Sequence, residues 1–210
     1  MGAQQAMQSD VVAFNGSPRS RGNTELLLAS AIEGAEAAGA SVRTFVLNDL
    51  NIRPCQNCGY CESKGFCRFA AQDDMGAIYE AIDSRHRFIV ASPIYFAGVS
   101  AQIKTMIDRC QALWARKYVL KKPHPVQGRK ALFLCVGGFP HRRFWPCAEK
   151  VVRTWCICAD IEYVGGLFYH KVDKKGDIRQ HPTALREAFE AGRRLVLGEG
   201  PDPEAAGAQP

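Results

Sequence analysis

Four of the nine cysteines fall in one short stretch. Pro54–Cys67 reads P-C-Q-N-C-G-Y-C-E-S-K-G-F-C and places Cys55, Cys58, Cys61 and Cys67 at C-x2-C-x2-C-x5-C. Zinc sites usually join two ligand pairs that lie apart in sequence. Three thiols at three-residue steps instead curl over adjacent corners of one iron–sulfur cube. Gly59 and Gly65 permit tight turns around it and leave backbone N–H groups for its sulfurs. The same thiols can also hold zinc, form a disulfide, or stay reduced in a loop without metal. The odd cysteine total argues against a secreted disulfide framework. So does Met1–Ser9, which lacks the apolar core of a signal peptide. A reducing cytoplasm is the expected compartment.

A second stretch has the chemistry of an anion site. Asp10–Asn15 (D-V-V-A-F-N) is a short apolar run and predicts a buried strand. Gly16–Thr24 (G-S-P-R-S-R-G-N-T) follows, and Glu25–Ala38 predicts a helix weakened by Gly34. Strand, glycine-containing loop and helix aim backbone N–H groups and a helix N-terminus at an anion. The Ser17, Ser20 and Thr24 hydroxyls and the Asn23 amide can add hydrogen bonds, and Arg19 or Arg21 can add charge. A Walker loop is excluded, because Gly16 and Gly22 are one residue too far apart and Asn23 stands where lysine belongs. The G-x-G-x-x-G dinucleotide fingerprint is absent. One terminal monophosphate therefore fits better than a triphosphate. In the plainer alternative, Asn23 or Thr24 only caps the helix and Gly16 only makes the turn.

The elements that must position these loops follow in order. Ser41–Leu47 predicts the second strand, and the cysteine loop leaves its carboxyl end. Asp73 and Asp74 suit the start of a helix over Met75–Arg85. Phe88–Ala91 predicts the third strand. Ser92–Gly98 (S-P-I-Y-F-A-G) leaves it, so Tyr95 and Phe96 either offer faces to a flat cofactor ring or pack into the core. Val99–Ala115 predicts a helix with Ile103, Met106, Ile107 and Leu113 inward, and Lys104 and Asp108 paired at i, i+4. Lys117–Arg129 is a basic connection. Lys130–Val136 predicts the fourth strand, ended by Gly137 and Gly138, which permit close approach to a cofactor. Phe139–Cys147 combines aromatics with His141, Arg142 and Arg143. It suits a nicotinamide phosphate, a dimer partner, an acidic electron donor or a plain surface loop. Ala148–Ala159 predicts a helix, Ile161–Leu167 the fifth strand and Pro182–Leu197 the last helix. Cys110, Cys135, Cys147, Cys156 and Cys158 read as buried apolar thiols.

Five strands alternating with helices predict a doubly wound α/β fold on a five-stranded parallel sheet, whose ligands gather at the carboxyl edge. Residues 1–200 are expected to form one domain and residues 201–210 a disordered tail. No apolar run is long enough for a membrane helix. The net charge of +6 favours anionic ligands or acidic partners. It is too dispersed for a nucleic-acid patch. No Ser-His-Asp set or carboxylate pair suggests an acid–base centre. His86, His124, His141, His170 and His181 read as surface or structural residues.

The order G-S-P-R-x-x-G-N-T, P-C-x-x-C-x-x-C-x5-C, D-D-M, S-P-I-Y and K-x3-D-R resembles the iron–sulfur flavoproteins. These belong to the flavodoxin-like NADPH-dependent FMN reductase superfamily. The resemblance is close over residues 11–109 and elsewhere covers only the order of strands and helices. It implies FMN, one [4Fe-4S] cluster per subunit, and a homo-oligomer, dimer or tetramer, in which cluster and flavin exchange electrons. It implies that Ser17, Arg19, Asn23 and Thr24 hold the FMN phosphate, with Gly22 giving close backbone approach. Pro93, Ile94, Tyr95 and Phe96 would line the isoalloxazine ring, and Gly137 and Gly138, a weaker match, would form a third flavin loop. Cys55, Cys58, Cys61 and Cys67 would ligate the cluster.

The expected function is electron transfer through FMN and a [4Fe-4S] cluster, from a ferredoxin-like or NAD(P)H donor to a small acceptor such as oxygen, peroxide or a quinone. A cluster-free NAD(P)H-dependent FMN or quinone reductase is the alternative, resting on the same flavin loops and the basic His141–Arg143 segment. A third reading is a zinc-stabilised binding protein or redox sensor.

Overall fold

A computed structural model describes residues 10–199. The expected tail at 201–210 lies outside them.

The central strands are continuous apolar runs because both their faces are covered. Strand β1 (Val11–Asn15) is buried throughout. It is followed by α1 (Asn23–Ala37), β2 (Val42–Val46), a short α2 (Tyr60–Lys64) and α3 (Met75–Ser84). Then come β3 (Arg87–Tyr95), the two-residue β4 (Gly98–Val99), α4 (Ala101–Arg109) and α5 (Gln111–Trp114). Strand β5 (Lys130–Val136), α6 (Trp145–Cys158), β6 (Glu162–Tyr169) and α7 (Ala184–Leu197) complete the described chain. The sheet order is β2-β1-β3-β5-β6, all parallel, with β4 folded antiparallel onto the end of β3. The five predicted parallel strands are all present. The antiparallel β4 was not anticipated.

Alternation along the strands sends successive side chains to opposite faces. Val12, Phe14, Phe88, Val90 and Phe133 pack with Met75, Ile78, Ile103, Met106 and Trp155. Val11, Ala13, Ile89, Ala91, Leu132 and Leu134 pack with Leu27, Leu28, Ala31, Ala188 and Leu195 of α1 and α7. Gly34, read as a weak point of its helix, serves this second layer. A Cβ there would lie 1.9 Å from the Phe189 carbonyl oxygen, and one on Gly192 would lie 1.9 Å from that of Ala31. The two glycines let α1 and α7 approach backbone to backbone.

Several boundaries move for physical reasons. The helix expected over Val99–Ala115 is broken at Cys110 into α4 and α5 and continues as a π-type turn over Ala115–Val119. Helix α6 starts earlier than expected, with Pro146 in its first turn, where a missing N–H costs nothing. Cys110, Cys135 and Cys156 are buried as predicted, but Cys147 is exposed and Cys158 half-buried, because they occupy the two ends of α6. Lys104 and Asp108 form the expected pair at 2.8 Å. Asp74 sits at the N-cap of α3 without capping it. Its Oδ2 accepts from Asn51 N at 2.7 Å instead. His181 Nδ1 accepts from Ala184 N at 3.1 Å, which is structural work at the start of α7.

Candidate functional site

The loops leaving β1, β3, β5 and β6 meet at the carboxyl edge of the sheet. Gly16 N donates to Ala91 O at 2.8 Å, tying the first loop to β3. The buried Asn15 accepts from Ser17 N through Oδ1 at 3.0 Å. Ser17 Oγ accepts from Arg19 N at 3.2 Å, and Gly22 N donates to Arg19 O at 3.1 Å. These bonds curl residues 16–22 into a compact loop. A Cβ on Gly16 would lie 2.2 Å from Ile103 Cγ1, so α4 packs directly against this loop.

Gly22 is the N-cap of α1 and makes no side-chain cap bond. The plainer reading, in which Asn23 or Thr24 caps the helix, is not what the chain does. The N-terminus of α1 is left without a side-chain cap, which suits an anion. Asn23 and Thr24 are both buried. The Asn23 amide is already occupied: Nδ2 donates to Lys174 O at 2.8 Å, and Oδ1 accepts from Gly176 N at 2.9 Å and Ile178 N at 3.3 Å. Arg19 Nη1 donates to Asp173 O at 3.3 Å. Both residues thus brace the loop after β6.

At the end of β3, Pro93 is buried, Ile94 half-buried, Tyr95 exposed and Phe96 fully exposed. The core-packing alternative for Tyr95 and Phe96 therefore does not hold. Phe96 and Ala97 have φ of 48° and 65°. Two positive values between paired strands make a type I′ turn, which ordinarily favours Asn and Gly. Below the turn, Ser92 Oγ accepts from Ser100 N at 2.9 Å, and Ser100 Oγ accepts from Ile103 N at 3.3 Å to cap α4. Gly137 N donates to Tyr169 O at 2.9 Å, and Val172 N donates to Gly137 O at 3.1 Å. A Cβ on Gly138 would come within 3.0 Å of Asp173.

Cys55, Cys58, Cys61 and Cys67 line one cleft, together with Tyr60, Phe69, Arg109 and Gln111. The backbone turns around it at Asn57, Gly59 and Gly65, all left-handed with φ of 48°, 71° and 76°. Cys61 lies in α2, and Cys67 accepts from Ala70 N at 3.1 Å to start a turn. Cys55 and Cys58 are exposed, Cys61 and Cys67 half-buried. Burial pushes the Cys61 thiol up, and the nearby Cys55, Cys58 and Cys67 thiols add to it. Among the described residues, no group of three or more His, Cys, Asp or Glu side chains is drawn into a metal-binding geometry.

The cleft is braced from the core. Asp73 binds Arg109 through two contacts, Nη1–Oδ2 at 2.5 Å and Nη2–Oδ1 at 3.2 Å. Their side chains are 2 % (Arg109) and 0 % (Asp73) exposed. Arg109 Nη1 also donates to Arg53 O at 2.9 Å, and Arg116 Nε donates to Gly65 O at 2.7 Å. The residues just before and within the cysteine run are thus pinned from α4 and the turn after α5.

The sequence profile of the NADPH-dependent FMN reductase family matches residues 9–147. The chain belongs to that family, in its iron–sulfur flavoprotein branch. An iron–sulfur flavoprotein of Archaeoglobus fulgidus is 37 % identical over 185 residues, covering 88 % of this chain and 91 % of its own. Another, from Methanocaldococcus jannaschii, is 34 % identical over 157 residues, covering 74 % and 75 %. Among solved structures, an NAD(P)H:quinone oxidoreductase from Methanothermobacter marburgensis superposes with a TM-score of 0.64 at 16 % identity, covering 89 % of this chain and 98 % of its own. An FMN-dependent NADH-azoreductase from Bacillus anthracis, in complex with FMN, gives 0.64 at 14 % identity, covering 89 % and 99 %. The fold is flavodoxin-like, and the chain is a flavin-dependent oxidoreductase whose cofactor is FMN.

The residues fit that cofactor, since a helix N-terminus without a side-chain cap follows a loop whose two glycines, Gly16 and Gly22, leave no room for side chains. Asn15, Asp73, Arg109 and the 173–178 segment were missed as site residues. Arg109 carried a signal: it continues the inward stripe of Ile103 and Met106 at three-residue steps, and an arginine on such a face needs a buried partner.

Proposed function

We propose that this chain passes electrons between FMN and a [4Fe-4S] cluster in a cytoplasmic homo-oligomer, dimer or tetramer. The electrons would come from a ferredoxin-like or NAD(P)H donor and go to a small acceptor. The carrying observation is that all four thiols of the Pro54–Cys67 run line one cleft. Four thiols suit an iron–sulfur group, and a buried Arg109 N–H in the same wall, without a partner among the described residues, suits an anionic one.

When bound, FMN exchanges electrons in pairs or singly and the cluster exchanges them singly. The chain's own residues bind and orient. The first-turn N–H groups of α1, the Ser17 and Thr24 hydroxyls and the close backbone at Gly22 hold the phosphate. Arg19 and Asn23 fix the loop that closes beside it, and Arg19 adds positive charge there. Pro93, Ile94, Tyr95 and Phe96 line the ring, and Gly137 and Gly138 let the backbone approach it. Cys55, Cys58, Cys61 and Cys67 ligate the cluster. No side chain is needed as acid or base. Residues 1–200 would act as one domain.

Replacing Cys58 with Ala tests this reading. Iron and sulfide should fall while FMN stays bound; unchanged iron would sink the ligand assignment. A second reading, a cluster-free NAD(P)H-dependent FMN or quinone reductase, is favoured by the exposure of Cys55 and Cys58. Fast NADPH oxidation by iron-free protein would support it. Failure of NADPH to bleach the flavin anaerobically would count against it.

A further inference from the structure

One wall of the cysteine cleft is a buried cation with a donor to spare. Arg109 lines the cleft beside the four thiols and is 3 % exposed. Its outer nitrogens are taken by Asp73 and Arg53 O. Its Nε–H is buried and has no hydrogen-bond partner among the described residues. Leaving a buried donor unmade costs about 1–3 kcal/mol, and more when the group is charged. Buried polar groups are nearly always paired, so this one calls for an acceptor.

We propose that Arg109 sets the potential of the group held by Cys55, Cys58, Cys61 and Cys67. Its Nε–H donates to a sulfur of that group, and its charge stabilises the group's more negative redox state. The inference rests on the iron–sulfur reading of the cleft. Arg109 lines the cleft and its ion-pair partner Asp73 does not. An arginine guanidinium is not deprotonated in proteins. The cation therefore persists at any working pH. When one electron arrives from reduced flavin, the held group becomes one unit more negative, no bond forms or breaks, and Arg109 keeps its proton. Hydrogen bonds to sulfur and nearby charge are known levers on cluster potential.

Arg68 also lines the cleft, but it is exposed and its guanidinium lies over the Tyr60 ring, so Arg109 is the buried cation of the wall. Arg116 also touches the cysteine loop, at Gly65 O, but its Nη1 is spent on Asp83 and it does not line the cleft. It anchors the loop without offering a donor.

The test is an anaerobic potential titration of the loaded protein, with the cluster followed by electron paramagnetic resonance and the flavin by absorbance. Iron and sulfide are counted on the same samples. Arg109→Lys keeps a charge but loses the Nε–H and the planar fork. The reduction equilibrium of the cluster should fall about tenfold, which for a one-electron couple is about 59 mV toward negative values. The flavin potential should not move. If Arg109→Lys fails to fold, the double variant Asp73→Asn/Arg109→Gln removes both charges without stranding a buried carboxylate, and should show the same sign. Arg116→Gln should leave the cluster potential in place. An unchanged cluster potential with iron retained would overturn the inference alone. So would an equal shift in Arg116→Gln, which would report only a loosened loop. A wild type without iron and sulfide would overturn the iron–sulfur reading and this inference together.

Discussion

The Asn23 side chain spans from the first turn of α1 to the loop after β6, donating to Lys174 O at 2.8 Å and accepting from Gly176 N at 2.9 Å. Its effect on flavin should therefore be indirect. Asn23→Ala is expected to weaken FMN binding about tenfold, roughly the 1.4 kcal/mol of one or two lost buried hydrogen bonds. It should also open residues 171–178 to proteolysis. Weaker FMN binding with unchanged protease resistance would instead put the amide on the phosphate.

Gly16 and Ile103 stand too close for any side chain between them. Gly16→Ala must push α4 away from the phosphate loop, so FMN should be lost while the purified chain stays folded. Equilibrium dialysis of the reconstituted variant decides it, and wild-type affinity would contradict the packing.

Phe96 holds φ of 48° with its ring fully exposed. Bulky residues pay for that conformation, on the order of 1 kcal/mol or more. Phe96→Gly should therefore stabilise the flavin-free protein by about 1 kcal/mol while weakening FMN binding. Calorimetry with and without flavin separates the two effects. A drop in flavin-free stability would show that the ring packs on protein rather than on cofactor.

The parallel sheet was legible in the sequence because its strands are uninterrupted apolar runs such as V-V-A-F and A-L-F-L-C-V. The loops at the carboxyl edge were legible because they leave those strands directly. What escaped was set by tertiary contact. Nothing local marks Gly34 as a packing glycine, since its need comes from Phe189 on a distant helix. Asn23 looked like a phosphate ligand because the residues it braces lie more than a hundred positions away. The break at Cys110 escaped because Val99–Ala115 keeps a helical pattern across it, and β4 escaped because two residues carry no periodicity.

Asp73 gives a pH dependence. Burial opposes its ionisation, but hydrogen bonds from Arg109, Arg53 N and Met75 N outweigh it and hold the carboxyl below its ordinary value. The unfolded carboxyl, near pH ~3.9, then takes up its proton before the folded one does. The stability from this lowered value is complete above that pH and is lost as pH falls through the folded value. Asp73→Asn should cost about 3 kcal/mol at neutral pH, since it leaves Arg109 buried and unpaired. The gap to wild type should narrow toward pH 3 in urea unfolding. A gap independent of pH would mean that the ion pair contributes nothing beyond packing.

The most direct test of the two-cofactor account is one set of counts on anaerobically purified protein: iron, sulfide, zinc and flavin per chain, with the visible spectrum. The account predicts about four irons, matching sulfide and one FMN, with a broad shoulder over the flavin bands. Flavin with neither iron nor sulfide, or with stoichiometric zinc, would contradict it and leave a flavin reductase whose four thiols serve another purpose.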